Sequence, residues 1–409
     1  MTAITASDVR RALLTRTEIA LIDLRNEHEF AQAHPLFAAQ LPPDRIALEA
    51  ERRLPRKDVT VVLYDDGDGL VEAGAAAFRA LGYEDVRALD GGLSGWRDAG
   101  YELFRDVNSY SKAFGELVEH RRRTPSLSAE EVDGLIASGA DIAILDARRF
   151  EEYATMNIPG GVSAPGAELV LRAPAAAPDP DTLVIVNCAG RTRSIIGAQS
   201  LVNAGLPNRV VALRNGTIGW TLAGKSLETG QQRRVAEPEE ADEARRRARS
   251  VAYRAGVRRI DTGTLADLTA DARRTLYRFD VRLPDAYAAG HIPGFLNAQG
   301  GQLVQETDHF APVRGARIVL ADDLGARADM TASWLAQLGW EVYVLDGGFD
   351  GPLESGAGAA PPPRGPEGRY KRPYEDTDNS AAAMQAYLDW EYGLVAQLER
   401  DGTHGFYVI

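Results

Sequence analysis

Short apolar runs alternate along this chain with stretches whose apolar residues recur at helical spacing. Near the middle the runs are Ile142 to Leu145, Leu183 to Asn187 and Val210 to Leu213. Each is short and apolar throughout, as a strand buried on both faces of a parallel sheet must be. A helical pattern, Ser194 to Ala204, follows the second run, and another, Ser126 to Ser138, precedes the first. Ser128 stands as N-cap of the latter, with Glu131 three residues on in the capping-box position. Strands alternating with helices predict an α/β fold, a parallel central sheet flanked by helices. Tyr110 to His120 reads as a connecting helix with Phe114, Leu117 and Val118 on one face. It packs its neighbours together or borders a pocket at their junction. Beyond a stiff Gly356 to Pro366 linker, Asn379 to Glu399 carries Met384, Tyr387, Leu388, Trp390, Leu394, Val395 and Leu398. Their near-helical spacing predicts a docking helix that needs a surface to cover.

The pattern occurs three times. Asp23-Leu24-Arg25, Asp146-Ala147-Arg148 and Asp280-Val281-Arg282 each end an apolar run. Forty-two residues after each Asp stand Asp65, Cys188 and Asp322, and 17 further on stand Gly82, Gly205 and Gly339 as helix-ending glycines. Later landmarks align too: Gly95-Trp96, Gly219-Trp220 and Gly351-Pro352, so the third copy departs most at Pro352. The layout is therefore residues 1–105 (repeat one), 106–124 (connecting helix), 125–235 (repeat two), 236–258 (charged linker), 259–356 (repeat three) and 357–409 (proline-rich linker and docking helix).

Only repeat two has a thiol, and Cys188 is the one cysteine of the chain. It follows a strand and opens the loop Ala189-Gly190-Arg191-Thr192-Arg193-Ser194, which leads into a helix. Loop N–H groups and a helix N-terminus favour an anion there. Arg191 and Arg193 add charge, so the thiol is expected to ionise more readily than an ordinary cysteine. In this reading Cys188 is the nucleophile, and Ala189, Gly190, Arg191, Thr192, Arg193 and Ser194 bind the substrate, the two arginines by paired hydrogen bonds to an anion. Asp146 and Arg148, present in all three copies, are expected to brace the site. Aspartates at positions 65 and 322 cannot serve as a thiolate nucleophile, so repeats one and three are expected to be silent.

Taken together, Asp146-Ala147-Arg148, Glu152-Tyr153, Ile158-Pro159-Gly160, the Cys188 loop, Asn215-Gly216 and Gly219-Trp220 resemble the rhodanese family over residues 125 to 230. The resemblance implies tandem rhodanese-like domains and a sulfurtransferase of the thiosulfate type. A sulfane sulfur would pass from an anionic donor through a Cys188 persulfide to a thiol, cyanide or protein acceptor, in ping-pong order, with no cofactor and no metal. A sulfur-relay module that docks a protein is the rival reading. A Cys-x5-Arg phosphatase or arsenate reductase is disfavoured, because Ser194 stands where that loop needs arginine.

Composition narrows the partners. A net charge of −13 argues against nucleic acid and anionic membranes. The Arg121-Arg122-Arg123 run, and Arg245 to Arg249 behind the acidic Glu237 to Glu243 stretch, read as solvated faces of connecting helices. The N-terminus has no export signal and no apolar run is long enough to span a membrane, so a cytoplasmic protein is expected. A homo-oligomer is left open.

Overall fold

A computed structural model describes residues 1–236, 238, 241–358 and 361–409. Glu237, Glu239 and Glu240 of the acidic stretch lie outside the described residues, as do Ala359 and Ala360. Each repeat forms one parallel five-stranded sheet flanked by helices, as the alternation of patterns requires. In the middle repeat the order across the sheet is Ser126–Leu127, Val210–Leu213, Leu183–Asn187, Ile142–Asp146, Val162–Ser163. The three strands read from the sequence are its central members. Ser128 caps the helix Ala129–Ala137 with a full capping box, Glu131 N–H to Ser128 Oγ at 3.3 Å and Ser128 N–H to Glu131 Oε2 at 2.7 Å. Gly82, Gly205 and Gly339 all have positive φ just past a helix, the conformation that ends it cheaply.

Contacts between repeats were less legible. The sheet of repeat one gains an antiparallel strand, Val313–Arg314 of repeat three, alongside Ile19–Asp23. The connecting helix, Ser109–Arg122, is buried on nearly every side from Ser109 to Val118, not on one apolar face alone. Its Phe114 ring meets Trp334 of repeat three at 6.0 Å and Phe406 of the tail at 5.5 Å, both edge-on. The charged segment between repeats two and three, read as carrying a connecting helix, forms a helix over Asp242–Arg254 that buries Ala244, Ala248, Val251 and Ala252. Its arginines bridge repeats two and three: Arg254 donates to Asn203 O at 2.5 Å and Arg245 to Leu324 O at 2.9 Å.

The tail is two helices, Ser380–Tyr392 and Leu394–Asp401, where one was expected, with the break at Gly393. Leu388, Leu394 and Leu398 are buried against the chain's own body. The approach to them also binds repeat one: Arg364 pairs with Glu27 at 2.9 Å and Glu49 at 3.1 Å. Among the described residues, no helix is long and apolar enough to cross a membrane.

Candidate active site

Cys188 follows the strand Leu183–Asn187 directly, and the helix Thr192–Asn203 starts four residues later. Open parallel sheets place ligands at this carboxyl end. A second helix, Gly216–Leu222, turns the loop's carbonyls away from the sulfur: Thr217 N–H donates to Cys188 O and Ile218 N–H to Ala189 O, each at 2.9 Å. Close approach explains Gly216. Its φ is +55°, and a Cβ there would lie 2.3 Å from Cys188 O. With the carbonyls held on that side, the opposite side is left for N–H groups and an anion.

The sister loops display such an anion. In repeat one Asp65 accepts the N–H of Gly67 at 3.1 Å and of Leu70 at 2.7 Å. In repeat three Asp322 accepts the N–H of Leu324 at 3.1 Å, Arg327 at 2.7 Å and Ala328 at 3.2 Å. Both repeats without a cysteine thus fill the position of Cys188 with a carboxylate held by backbone N–H groups.

Cys188 is 2% exposed, and its thiol donates to Ser194 Oγ at 3.5 Å. Here the expectation of easy ionisation is corrected. Burial pushes the thiol up from its ordinary value, and the Arg193 charge and the Ser194 hydroxyl and N–H only partly oppose it. The arginines are engaged elsewhere. All five N–H donors of Arg191 are taken: two by Glu116 at 2.7 and 2.8 Å, one by Glu119, one by Asn215 at 3.0 Å and one by the Tyr392 hydroxyl at 2.9 Å. Arg191 therefore locks the loop to the connecting helix and has no donor left for a substrate, which corrects its expected role. Arg193 donates two hydrogen bonds to Glu152, at 2.7 and 2.9 Å, and keeps three N–H groups. Burial alone would raise the Glu152 carboxyl, but the Arg193 hydrogen bonds and charge overturn that and hold it at about 2.

Asp146 and Arg148 form a buried bidentate pair, at 2.9 and 2.7 Å, and Arg148 also donates to Met156 O at 2.5 Å. Asp23 and Arg25 repeat this with Ala33 O, and Asp280 and Arg282 with Gly290 O. The pair ties the strand end to the following turn in every copy, with or without a thiol. In repeat two Asn187 adds a bond to Asp146 Oδ2 at 3.0 Å, which carries the brace to the residue before Cys188.

A cavity of about 250 Å³ opens onto Cys188, and its walls come from the connecting helix, repeats two and three, and the tail. The loop residues from Ala189 to Arg193 form the floor, while Lys112 comes from the connecting helix, Gln305 and Glu306 from repeat three, and Tyr370, Tyr374, Tyr387 and Glu391 from the tail. Sequence reasoning offered the loop and, as one of two readings, the connecting helix; it missed the residues from repeat three and the tail. An arginine pair at a buried loop signalled that carboxylates had to be close, but nothing in the spacing named Glu116, Glu119 or Glu152.

Comparison with known proteins places this geometry. The rhodanese-like domain pattern matches residues 5–99, 128–223 and 263–353. A crystal structure of a thiosulfate sulfurtransferase from Pseudomonas aeruginosa is 48% identical, covers 100% of both chains and superposes with a TM-score of 0.93. The thiosulfate sulfurtransferase GlpE of Pseudoalteromonas translucida (strain TAC 125) is 36% identical over 74 residues, 17% of this chain and 66% of that protein. Its counterpart in Tolumonas auensis is 32% identical over 87 residues, 21% of this chain and 79% of that one. With three matched copies and a full-length relative, this chain belongs to the rhodanese-like family.

Proposed function

We propose that the protein is a thiosulfate sulfurtransferase working through Cys188. The Cys188 thiolate attacks the outer sulfur of thiosulfate, the S–S bond of the donor breaks, and its electron pair leaves with sulfite. Sulfur stays behind as a persulfide. An acceptor, cyanide or a thiolate, then attacks the outer sulfur, and the Sγ–S pair returns to Cys188. The observation that carries this reading is the loop comparison: three loops of one design are built around an anion, and only the middle one offers a nucleophile in place of a fixed carboxylate. The spare N–H groups of Arg193 meet the donor's sulfonate, and the Ser194 N–H holds the persulfide anion. The identity of the 48% relative supports the same donor. Steady-state thiocyanate formation from thiosulfate and cyanide tests it. Parallel double-reciprocal lines, and loss of turnover in Cys188→Ser, are expected. Intersecting lines, or a rate that survives the substitution, would remove the covalent intermediate.

A further inference from the structure

The cavity over Cys188 is larger than thiosulfate or cyanide needs, and one end of it is chemically unlike the other. Near the loop lies Arg193. At the far end, the tail contributes Tyr370, Tyr374, Tyr387 and Glu391. Glu391 is 1% exposed. Its Oε1 accepts from the Tyr387 hydroxyl at 3.2 Å, while its Oε2 is buried without any partner. A methyl group built on Gly190 would stand 3.5 Å from Glu391 Oε2 and 3.8 Å from a ring carbon of Tyr387, so the orphan oxygen faces the catalytic loop. Gln305, on the wall given by repeat three, also buries an amide oxygen without a partner.

Three of the cations that line the cavity already have carboxylate partners. Arg191 is bound by Glu116 and Glu119, Arg193 by Glu152, and Lys112 by Asp106 at 2.8 Å. Burial holds the Glu391 carboxyl up at about 8, with Lys112 and Arg191 opposing and Glu116 and Asp106 reinforcing. A buried carboxyl oxygen without a partner lacks a hydrogen-bond donor, and a cation bound there would favour the ionised form. Tyrosine faces beside it suit a cation equally.

Resting on the Cys188 persulfide reading, the geometry points to Glu391 and the tail tyrosines as an acceptor subsite for a small thiol that carries an ammonium group. The ammonium donates to Glu391 Oε2 and Gln305 Oε1, while the thiolate of the same molecule reaches the persulfide. Cys188 and Gly190 are two residues apart, so their Cα atoms are at most about 7 Å apart and a short carbon chain spans the distance. In the transfer, the acceptor's sulfur bonds to the outer persulfide sulfur as the bond to Cys188 Sγ breaks. The acceptor leaves as its own persulfide and Cys188 is left as a thiolate, with no oxidant or reductant consumed.

The test uses the full chain, loaded with thiosulfate, freed of excess donor and checked for the added sulfur by intact mass. Discharge is then timed with 2-aminoethanethiol, 2-mercaptoethanol and 3-mercaptopropionate at equal thiolate concentration. The expected result is discharge to the amine about tenfold faster than to the alcohol, with the carboxylate slowest. In Glu391→Gln that ratio should fall towards one, and because it is a ratio within one protein, a general loss of activity cancels. Equal wild-type rates, or a preference that persists in Glu391→Gln, would overturn the subsite; the wild-type comparison needs no variant to fold. A protein that never gains sulfur is seen at the first step and overturns the persulfide reading, and this inference with it.

Discussion

At the scale of single residues, the chemistry is set by how burial and charge divide at Cys188. An anion-favouring loop was legible in the sequence from the Gly and Arg residues after the cysteine, and the carboxylates at Asp65 and Asp322 display that preference in the sister loops. What could not be read was that Arg191 and Arg193 are themselves held by Glu116, Glu119 and Glu152, residues 41 to 75 positions away. Their charge is largely met before any substrate arrives. With its pKa above the ordinary thiol value, Cys188 carries little thiolate at neutral pH and more as pH rises. Single-turnover loading with thiosulfate should therefore accelerate through pH 7 to beyond 9, by about tenfold per unit while the thiol dominates. A rate already level by pH 7 would contradict the shift. Asp146 acts differently. Asp146→Asn leaves buried Arg148 without its counter-charge, at a cost of about 3–5 kcal/mol. Calorimetry should show a lowered melting temperature, while the fraction still folded keeps its turnover; an unchanged melting temperature with lost turnover would give Asp146 a chemical role.

At the scale of elements, strands and helices within a repeat followed from periodicity because each buries its apolar face inside its own repeat. The helix Gly216–Leu222 exists to seat the loop, and repeat three, with Pro352 in place of the tryptophan, has no counterpart among the described residues after Glu341–Leu345. Gly216→Ala would force a side chain into a positive-φ position against Cys188 O, costing about 1–3 kcal/mol and turning the loop carbonyls. Sulfur loading should fall more than helix content measured by circular dichroism; loading at the wild-type rate would show that the seat is dispensable. The tail helix carries a pH dependence of its own. Glu391 has a folded pKa of about 8, above the value of an unfolded glutamate, so its neutral form favours docking. That contribution is complete below about pH 4.5 and is lost as pH climbs to about 8. Lys112 and Glu116 on the connecting helix, Arg191 in the loop, Asp106 and Tyr387 are the groups that face it. Hydrogen exchange over Ser380–Tyr392, corrected for intrinsic rate, should rise at least about threefold between pH 6 and pH 9 in wild type and less in Glu391→Gln. Equal rises in both would place the titrating group elsewhere.

At the scale of the whole molecule, three copies of one fold share a single reaction centre. The repeats, their order and the position of the thiol were open to a count of landmarks, since each lies within one repeat. The assembly was not. The strand Val313–Arg314 joined to repeat one, the bridging helix Asp242–Arg254, and the tail lying over Cys188 depend on contacts between residues tens to hundreds of positions apart, which no local period encodes. Repeat three and the tail wall the pocket, so a copy without a thiol shapes the pocket over Cys188. The central claim is that sulfur resides on Cys188, and intact-protein mass spectrometry after incubation with thiosulfate tests it most directly. The wild type should gain one sulfur, about 32 Da, and lose it on addition of cyanide, while Cys188→Ser gains nothing. A wild type that stays at its original mass, or a Cys188→Ser protein that takes up the same sulfur, would contradict the account.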